Sequence, residues 1–440
     1  MIIARHFRLA SAAAWCLAAA LATPAHAQTT PDSAAVAAIH DYLTACKADG
    51  GQLWGRTLCG PIILVDPENR RAVASVRPPD GVFARSGEVW QGVVPDSILL
   101  SNTSLTWDGT RWAFIRLPVP ADRLTRALLL VHESFHRIED DLALGGGDPM
   151  LPHLDERNGR FWLRMEIRAL SAAVSGQGAA GHQAAIDALL FRARRQSLFP
   201  GTAVLEDSVE RHEGMAEYTG TRLALTLIGA PLSSTAGAFK GFETRPSFVR
   251  SLGYGTGPGL GLLLDRYAPG WRKVAAGQSL AGMLATSLKF RAAPSLDEDA
   301  ARRAAEYGAV QVAAEEDRRE EERQLRLADY RKRLIDGPVL VLRQHRLMRS
   351  FNPNTLVAFG DQGTVYPTGS FSADWGSLGV DRDGALVSGD FQLLRVALPS
   401  DTSTRPLKGT GWSLTLAKGW KLVPGIRAGD LTVVDERGKP

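Results

Sequence analysis

The sequence predicts an α+β fold with a β-rich N-terminal portion, a helical central region and a C-terminal all-β domain. Three observations lead to this prediction. Short β-type runs broken by turn residues occupy residues 53–117, apolar residues recur at helical spacing through residues 121–298, and β signals return from Gly337. The chain has 440 residues, of which 45% are hydrophobic and 22% charged. It is therefore expected to form two or three domains rather than to remain disordered.

Residues 1–27 have the features of a secretory signal peptide. Two arginines precede an apolar run from Leu9 to Ala22, and an A-x-A cleavage signal ends at Ala27. The run is too short to span a membrane comfortably, and no later stretch is long and apolar enough to do so. We therefore expect an exported protein without a membrane span, either periplasmic or secreted, whose mature chain starts near Gln28.

The net charge gives no indication of nucleic-acid binding. The full sequence carries a formal charge of +4. The expected signal peptide contains two Arg, no Lys and no acidic residue, so its removal leaves +2. A charge this small does not predict a nucleic acid as partner.

The cysteines fit an oxidising compartment. Cys16 lies in the expected signal peptide, which leaves Cys46 and Cys59 on either side of a short Gly-rich loop. Such a pair predicts a structural disulfide, with two free buried thiols as the alternative. Two cysteines cannot build a zinc knuckle, so any metal would have to be held by His and carboxylate side chains.

These patterns predict that the chain is divided into five parts. They are a signal peptide at 1–27, a β-rich region at 28–120, a helical region at 121–298, a charged helical segment at 299–336 and a C-terminal β domain at 337–440. Within the charged segment, the run at 315–323 indicates a solvated helix face or a spacer.

Strands are predicted where short runs of β-branched and aromatic residues end at Pro, Gly or Asp. The runs are Ile62–Val65, Ala72–Val76, Glu88–Val94, Ser104–Trp107 and Arg111–Leu117. Asp108-Gly109 between the last two runs is a strong hairpin signal.

Helices are predicted where apolar residues recur every three to four positions. The segments are 33–48, 122–144, 159–174, 182–195, 205–227, 248–267, 282–288 and 299–334. Asp122 is the expected N-cap of the second helix, and the three glycines from Gly145 are expected to end it.

The most informative motif is H-E-x-x-H, formed by His132, Glu133 and His136 in the second predicted helix. Residues four apart share a helix face, so both imidazoles can reach one ion. Glu133 would lie within reach of a water on that ion, and zinc accepts this ligand set with a position left for catalysis. A separate apolar stripe faces the core: Leu124, Leu128, Val131, Phe135, Ile138 and Leu142. The alternative is a pair of surface or capping histidines.

A third ligand is required, and a row of carboxylates is the best source. Glu206, Glu210, Glu213 and Glu217 fall at i, i+4, i+7 and i+11 of one predicted helix. Like charges so spaced repel each other unless a cation lies nearby. Gly214 costs about 1 kcal/mol within a helix, which indicates close packing against another helix. The alternative is an exposed acidic helix.

With H-E-x-x-H on one helix and E-G-x-A-E-Y on a later one, the sequence resembles the gluzincin metallopeptidases, the broad peptidase MA group that contains thermolysin and aminopeptidase N. The resemblance covers roughly residues 110–265 and makes His132, His136 and Glu213 the expected ligands of Zn²⁺. It makes Glu133 the catalytic residue, which takes a proton from zinc-bound water and passes it to the leaving amine. The hairpin before the motif would provide an edge strand.

The spacing departs from the gluzincin pattern. His136 and Glu213 are separated by 76 residues, far more than is usual in the group, so a helical insertion at 157–195 must lie between them. The insertion offers Glu166 as a rival third ligand. Three histidines are further rivals: His153, His182 and His212. The G-x-M-E-N signature of aminopeptidase N is absent, so nothing predicts recognition of a substrate amino terminus.

Two supporting roles are also expected. Asp140 lies four residues after His136, and is either a group that orients the imidazole or an exposed acid near a helix end. The developing oxyanion needs a donor besides zinc. Tyr254, in a Gly-rich turn predicted to precede a helix, is the first choice for this catalytic role, and Tyr218 is the second.

The sequence therefore predicts an exported zinc metallopeptidase that acts on a peptide or protein substrate, with residues 121–298 as its catalytic region. The alternative is a non-catalytic binding protein on a degenerate zincin scaffold, whose β domain at 337–440 recognises a cell-envelope partner. Glu133 favours the enzyme, because a site that only binds metal has no need of this carboxylate.

Overall fold

The computed structural model describes residues 31–98, 100–343, 347–351 and 355–436. Helices and sheets both contribute, with a helical middle and a C-terminal β region, so the α+β prediction is confirmed at this level. The expected signal peptide at 1–27 lies outside the described residues. No helix within the described ranges is long and apolar enough to cross a membrane.

The N-terminal part consists of one helix and a six-stranded sheet. Its elements are α1 (Pro31–Asp49), β1 (Ile62–Val65), β2 (Arg71–Ala74), β3 (Val82–Ser86), β4 (Val89–Val93), β5 (Thr103–Trp107) and β6 (Thr110–Arg116). The strand order is β3-β4-β2-β1-β6-β5, with β1 and β6 parallel and the other neighbours antiparallel. Strand β5 therefore forms one edge of this sheet.

Two local predictions in this part are confirmed. Cys46 and Cys59 form a disulfide, with their Cα atoms 5.2 Å apart. Asp108 and Gly109 join β5 to β6 with φ angles of 47° and 73°, as a tight two-residue hairpin requires. Strand β3, which is largely exposed, was not predicted.

The central part is helical. Its helices are α2 (Arg123–Phe135), α3 (Arg157–Ser175), α4 (Gly178–Leu198), α5 (Ala203–Val209), α6 (Met215–Ile228), α7 (Ala236–Glu243), α8 (Leu252–Tyr267), α9 (Leu280–Leu288), α10 (Leu296–Ala304) and α11 (Ala309–Arg331). A π-helical turn at Glu210–Gly214, here called the π-turn, joins α5 to α6 without a break. A second π-helical turn, Lys332–Asp336, follows α11.

Helix α2 begins as predicted but ends nine residues earlier than the prediction of Leu144. The carboxylate of Asp122 accepts a hydrogen bond from the backbone N–H of Thr125 at 2.8 Å, which confirms the N-cap. After Phe135 the backbone tightens: the N–H of Ile138 donates to the carbonyl of Phe135 at 2.9 Å, three residues back. The second histidine of the motif is therefore the C-cap of α2.

The helix predicted at 248–267 is confirmed as α8, but the glycine-rich segment around Tyr254 lies inside this helix and not in a turn before it, so the prediction of a turn was wrong. A Cβ atom on Gly257 would lie 2.2 Å from Cα of Gly214, and one on Gly261 would lie 2.3 Å from the ring of Tyr218. The glycines therefore let α8 approach the backbone of the π-turn and the Tyr218 ring of α6, and tertiary packing outweighs their low helix propensity.

The charged run at 315–323 is not only a solvated face or spacer, as was predicted. Glu316 on α11 is buried, and its carboxylate accepts hydrogen bonds from Arg160 at 2.5 Å and from Arg164 at 2.9 Å. Both arginines lie on α3, so ion pairs attach α11 to the helical core.

The C-terminal part contains two antiparallel-rich sheets that share one hydrophobic core. Its strands are β7 (Val339–Arg343), β8 (Met348–Phe351), β9 (Val357–Ala358), β10 (Thr364–Tyr366), β11 (Gly369–Ala373), β12 (Gly376–Val380), β13 (Ala385–Val387), β14 (Leu393–Ala397), β15 (Leu407–Gly409), β16 (Trp412–Leu416), β17 (Trp420–Pro424) and β18 (Leu431–Asp435). The sheet orders are β17-β18-β7-β14-β13-β10-β9 and β15-β16-β12-β11-β8.

Candidate metal centre

Three of the predicted site residues meet where α2 contacts the π-turn. His132 lies in the last turn of α2, His136 caps its C-terminus, and Glu213 lies in the π-turn. Nε2 of His132 is 3.2 Å from Oε2 of Glu213 and 3.3 Å from Nε2 of His136. The third side of this triangle, from Nε2 of His136 to the same Oε2, measures 3.8 Å.

This donor set fits a zinc ion. Zinc binds His nitrogen and carboxylate oxygen at about 2.0–2.2 Å, which places tetrahedral ligand atoms about 3.3 Å apart. Oε2 of Glu213 is buried and has no hydrogen-bond partner in the described part of the chain. A carboxylate oxygen buried in this way is costly unless a cation compensates it. Three protein ligands would leave the fourth position of a tetrahedral zinc ion open.

The electrostatics of the site favour a positive charge. Burial alone would lower the pKa of His132, but the carboxylates of Glu213 and Glu217 outweigh it and raise the pKa well above its ordinary value. Burial alone would raise the pKa of Glu213, but the neighbouring histidines lower it to about 2. Glu213 is therefore ionised at neutral pH, as a metal ligand must be.

Each ligand imidazole is held by a carboxylate on its other nitrogen. Nδ1 of His132 lies 2.8 Å from Oε2 of Glu217, and Nδ1 of His136 lies 2.9 Å from Oε2 of Glu139. Asp140 is exposed and pairs with Arg111 at 3.2 Å, so of its two predicted roles the exposed acid near a helix end is confirmed and the orienting group is not. The tightened backbone after α2 is the reason, because it directs position i+3 rather than i+4 toward His136.

Glu133 is buried beside the ligands, with only 7% of its surface exposed. Burial raises the pKa of its carboxyl group to about 7; His132 opposes this rise, and the charges of Glu213 and Glu217 add to it. A carboxyl group that titrates near neutral pH can both accept and return a proton.

Tyr254, the first choice for the oxyanion donor, lies against the ligands. Its ring stacks on that of His132 with centroids 5.4 Å apart and planes 7° apart. Burial and the charge of Glu213 raise the pKa of its hydroxyl, which keeps the proton in place for donation. The second choice, Tyr218, is unsuited because its hydroxyl donates to Asp265 at 2.9 Å.

His212 also belongs to this centre. Its ring centroid lies 4.6 Å from that of His136, and its Nδ1 lies 2.8 Å from Oε1 of Glu139. Its Nε2 lies 3.7 Å from Oε1 of Glu213. The sequence offered His212 only as a rival ligand; its carboxylate partner, Glu139, was missed because no local spacing joins the two residues.

The other rival ligands lie elsewhere. Glu166 accepts hydrogen bonds from Arg192 at 2.8 Å and from Arg195 at 2.5 Å. His153 pairs with Glu206 at 2.8 Å. His182 packs its ring against Tyr267, with centroids 5.8 Å apart.

The predicted carboxylate row is divided between two environments. Glu213 and Glu217 face the histidines. Glu206 and Glu210 are buried and paired with arginines of α4, Arg195 and Arg192 respectively. The π-turn adds an extra residue to the helical turn at this division, and such turns are frequent at functional sites.

A small apolar cavity of about 60 Å³ adjoins Glu217 and Tyr254. It lies between α2, α6, α7 and α8, and its apolar lining includes Leu124, Leu128, Leu225, Phe239 and Pro258. A cavity of this kind can receive a small apolar group next to the metal centre.

Known proteins provide no independent assignment for this site. The chain matches no protein-family model, no curated protein and no solved structure. Its function is therefore inferred from the residues and their geometry.

Proposed function

We propose that this protein is an exported zinc metallopeptidase of gluzincin type. The observation that carries the proposal is the convergence of His132, His136 and Glu213 on one point, with the carboxylate of Glu133 buried beside them. The resemblance of residues 110–265 to gluzincins supports the same assignment. Export rests on the signal-like sequence of residues 1–27.

Each residue of the proposed site has its own role in peptide hydrolysis. A zinc ion held by His132, His136 and Glu213 would supply Lewis-acid chemistry to water and to the scissile carbonyl. Glu133 accepts a proton from the attacking water and returns it to the leaving amine. Tyr254 donates a hydrogen bond to the carbonyl oxygen as negative charge develops on it.

Two features beside the centre suit an extended peptide. Strand β5 ends its sheet, and Ser104 on this strand donates a hydrogen bond to the carbonyl of His136 at 3.1 Å. A free strand edge can pair with a peptide through backbone hydrogen bonds. The apolar cavity beside Tyr254 would accept one small apolar side chain of that peptide.

The test combines metal analysis with a peptidase assay on the purified chain from Gln28 onward. We expect one equivalent of zinc and cleavage of members of a broad peptide library. Glu133→Gln should keep the zinc and lose hydrolysis by at least about 100-fold, because the amide retains its shape but cannot accept the proton. Asp140→Asn, an exposed change one turn away, is the control and should leave both unchanged.

Substantial hydrolysis by Glu133→Gln would contradict the assigned mechanism, and a chain without zinc would contradict the metal centre. Zinc binding without hydrolysis of any peptide would favour the binding-protein alternative.

A further inference from the structure

Three side chains form a stack that leads away from the metal centre. The ring of Tyr254 covers the imidazole of His132 on one side. On the same tyrosine, the guanidinium carbon of Arg245 lies 5.1 Å from the ring centroid. The stack therefore connects a metal ligand to a cationic group through the residue assigned to the oxyanion.

Arg245 is held in place by two aromatic rings. Its guanidinium carbon also lies 5.4 Å from the ring centroid of Phe242, on the preceding helix α7. Aromatic contacts on a planar guanidinium restrict its orientation and leave the N–H groups at its edge available. Arg245 is half-buried, so part of its side chain remains accessible to solvent.

No carboxylate of the described residues forms an ion pair with Arg245. This distinguishes it from its neighbours, because Arg250 pairs with Asp148, and Arg164 and Arg168 both pair with Glu243. A half-buried arginine without an acidic partner retains an uncompensated charge beside the site. Such a group can form a bidentate, charge-assisted pair with an incoming carboxylate.

We propose that Arg245 binds a carboxylate of the substrate, so that the enzyme selects peptides with an acidic group close to the scissile bond. This inference rests on the proposed peptidase function. Because Arg245 contacts the ring of Tyr254, which itself stacks on the ligand His132, the carboxylate belongs to a residue near the cleaved bond and not to the bond itself. Either a side chain of Asp or Glu or a free C-terminus supplies the same group.

Direct binding tests this site without requiring turnover. The probe is a dye-labelled, alanine-rich octapeptide, mixed with the zinc-loaded full chain carrying Glu133→Gln. One arm compares a free C-terminus with an amidated one, and the other compares Asp with Asn at each position in turn. We expect at least one acidic form to bind about tenfold more tightly than its neutral counterpart, as expected for one charge-assisted pair.

Changes at Arg245 identify the source of that preference. Arg245→Gln should abolish the tenfold difference, and Arg245→Lys, which keeps the charge without the fork, should retain part of it. Lys240→Gln is the matched control, because it removes one exposed positive charge from α7 and should keep the full preference. Absence of any acidic preference, or a preference that survives Arg245→Gln, would overturn the proposal.

Kinetics separate substrate recognition from simple support of Tyr254. In the chain that retains Glu133, Arg245→Gln should raise KM for the acidic peptide and leave KM for the neutral peptide unchanged. An equal loss of kcat on both peptides would mean that Arg245 only positions Tyr254, which contradicts the proposal. An acidic preference in binding without any cleavage would instead contradict the peptidase function and leave the carboxylate site standing.

Discussion

The two imidazoles of the candidate metal centre are oriented by carboxylates that would not touch a bound ion. Glu217 lies on α6 and Glu139 in the turn after α2, yet each faces Nδ1 of one ligand histidine. In a neutral imidazole this pairing places the ring proton on Nδ1 and directs Nε2 to the metal position. Because the pKa of His132 is raised, zinc would have to displace a second proton from its Nε2. The site is therefore organised before an ion arrives.

Removing either support should weaken zinc binding without removing a ligand. We expect Glu217→Gln and Glu139→Gln each to lower zinc affinity by about 10- to 100-fold, as is typical for groups that orient metal-bound imidazoles. Competition against a chromogenic chelator measures this affinity. Asp140→Asn is the control, and a loss of affinity in that variant as large as in Glu139→Gln would contradict the assigned roles.

At the scale of single residues, the sequence predicted the site residues that lie within one motif. The i, i+4 spacing of His132 and His136 needs only the geometry of one helix. The convergence of Glu213 on them depends on long-range folding, and it was predicted from the neighbouring Gly214 and from the family resemblance. Glu139 was missed because its position depends on where α2 stops, which the apolar pattern through Leu142 did not reveal.

At the scale of elements, close contact between α8 and the π-turn positions Glu213. Gly257→Ala would place a methyl group 2.2 Å from the backbone of Gly214. We expect it to destabilise the fold by about 1–3 kcal/mol through overpacking and to weaken zinc binding. Denaturant unfolding and the chelator assay measure the two effects.

Gly241→Ala provides the contrast for this experiment. Gly241 lies within α7, and a Cβ atom there would meet nothing within 4 Å. This change should stabilise the chain by about 0.5–1 kcal/mol, because alanine favours the helix. Equal effects of the two substitutions would show that helix propensity, and not the helix contact, decides the outcome.

At this scale, an element could be predicted where local sequence signals alone determine its structure. The Asp108-Gly109 hairpin and the Asp122 N-cap follow from local chemistry and were predicted correctly. Helix α8 forms although its glycines have a low helix propensity, because these glycines allow close contact with neighbouring helices. No sequence spacing reports that contact, so the helix was only partly anticipated.

At the scale of the whole molecule, a buried group of ion pairs ties the long insertion to the helix of the metal centre. Glu206 is fully buried, and its carboxylate accepts hydrogen bonds from Arg195 at 2.8 Å and 3.0 Å. Burial would raise the pKa of Glu206, but Arg195 and His153 outweigh it and hold the pKa well below 4.5. Buried ion pairs therefore join the insertion at 157–195 to the continuous helix that carries Glu206 and Glu213.

Glu206→Gln should therefore destabilise the chain in a pH-dependent way. Arg195 would keep Glu166 as its remaining counter-charge, and the loss of one partner from a buried ion-pair group costs up to about 3–5 kcal/mol. Because the folded pKa is below the unfolded value, the carboxylate stabilises the fold above about pH 4.5 and ceases to do so as the pH falls through the folded pKa. Unfolding midpoints of wild type and variant should differ most at neutral pH and converge in acid.

The exposed residue Glu322 on α11 supplies the control for this comparison. Glu322→Gln should leave the free energy of unfolding within about 0.5 kcal/mol of wild type. A difference between wild type and Glu206→Gln that stays constant with pH would contradict the stabilising role of the ionised carboxylate.

A hydrogen bond joins the edge strand β5 to the candidate metal centre, from the hydroxyl of Ser104 to the carbonyl of His136. A peptide paired along β5 would restrain Ser104 and, through it, His136, whose Nε2 would face a bound ion. Peptide occupancy and zinc retention are then thermodynamically linked, and each must strengthen the other by the same factor. In the Glu133→Gln chain, zinc affinity should be higher with peptide bound than without it, and Ser104→Ala should remove the difference.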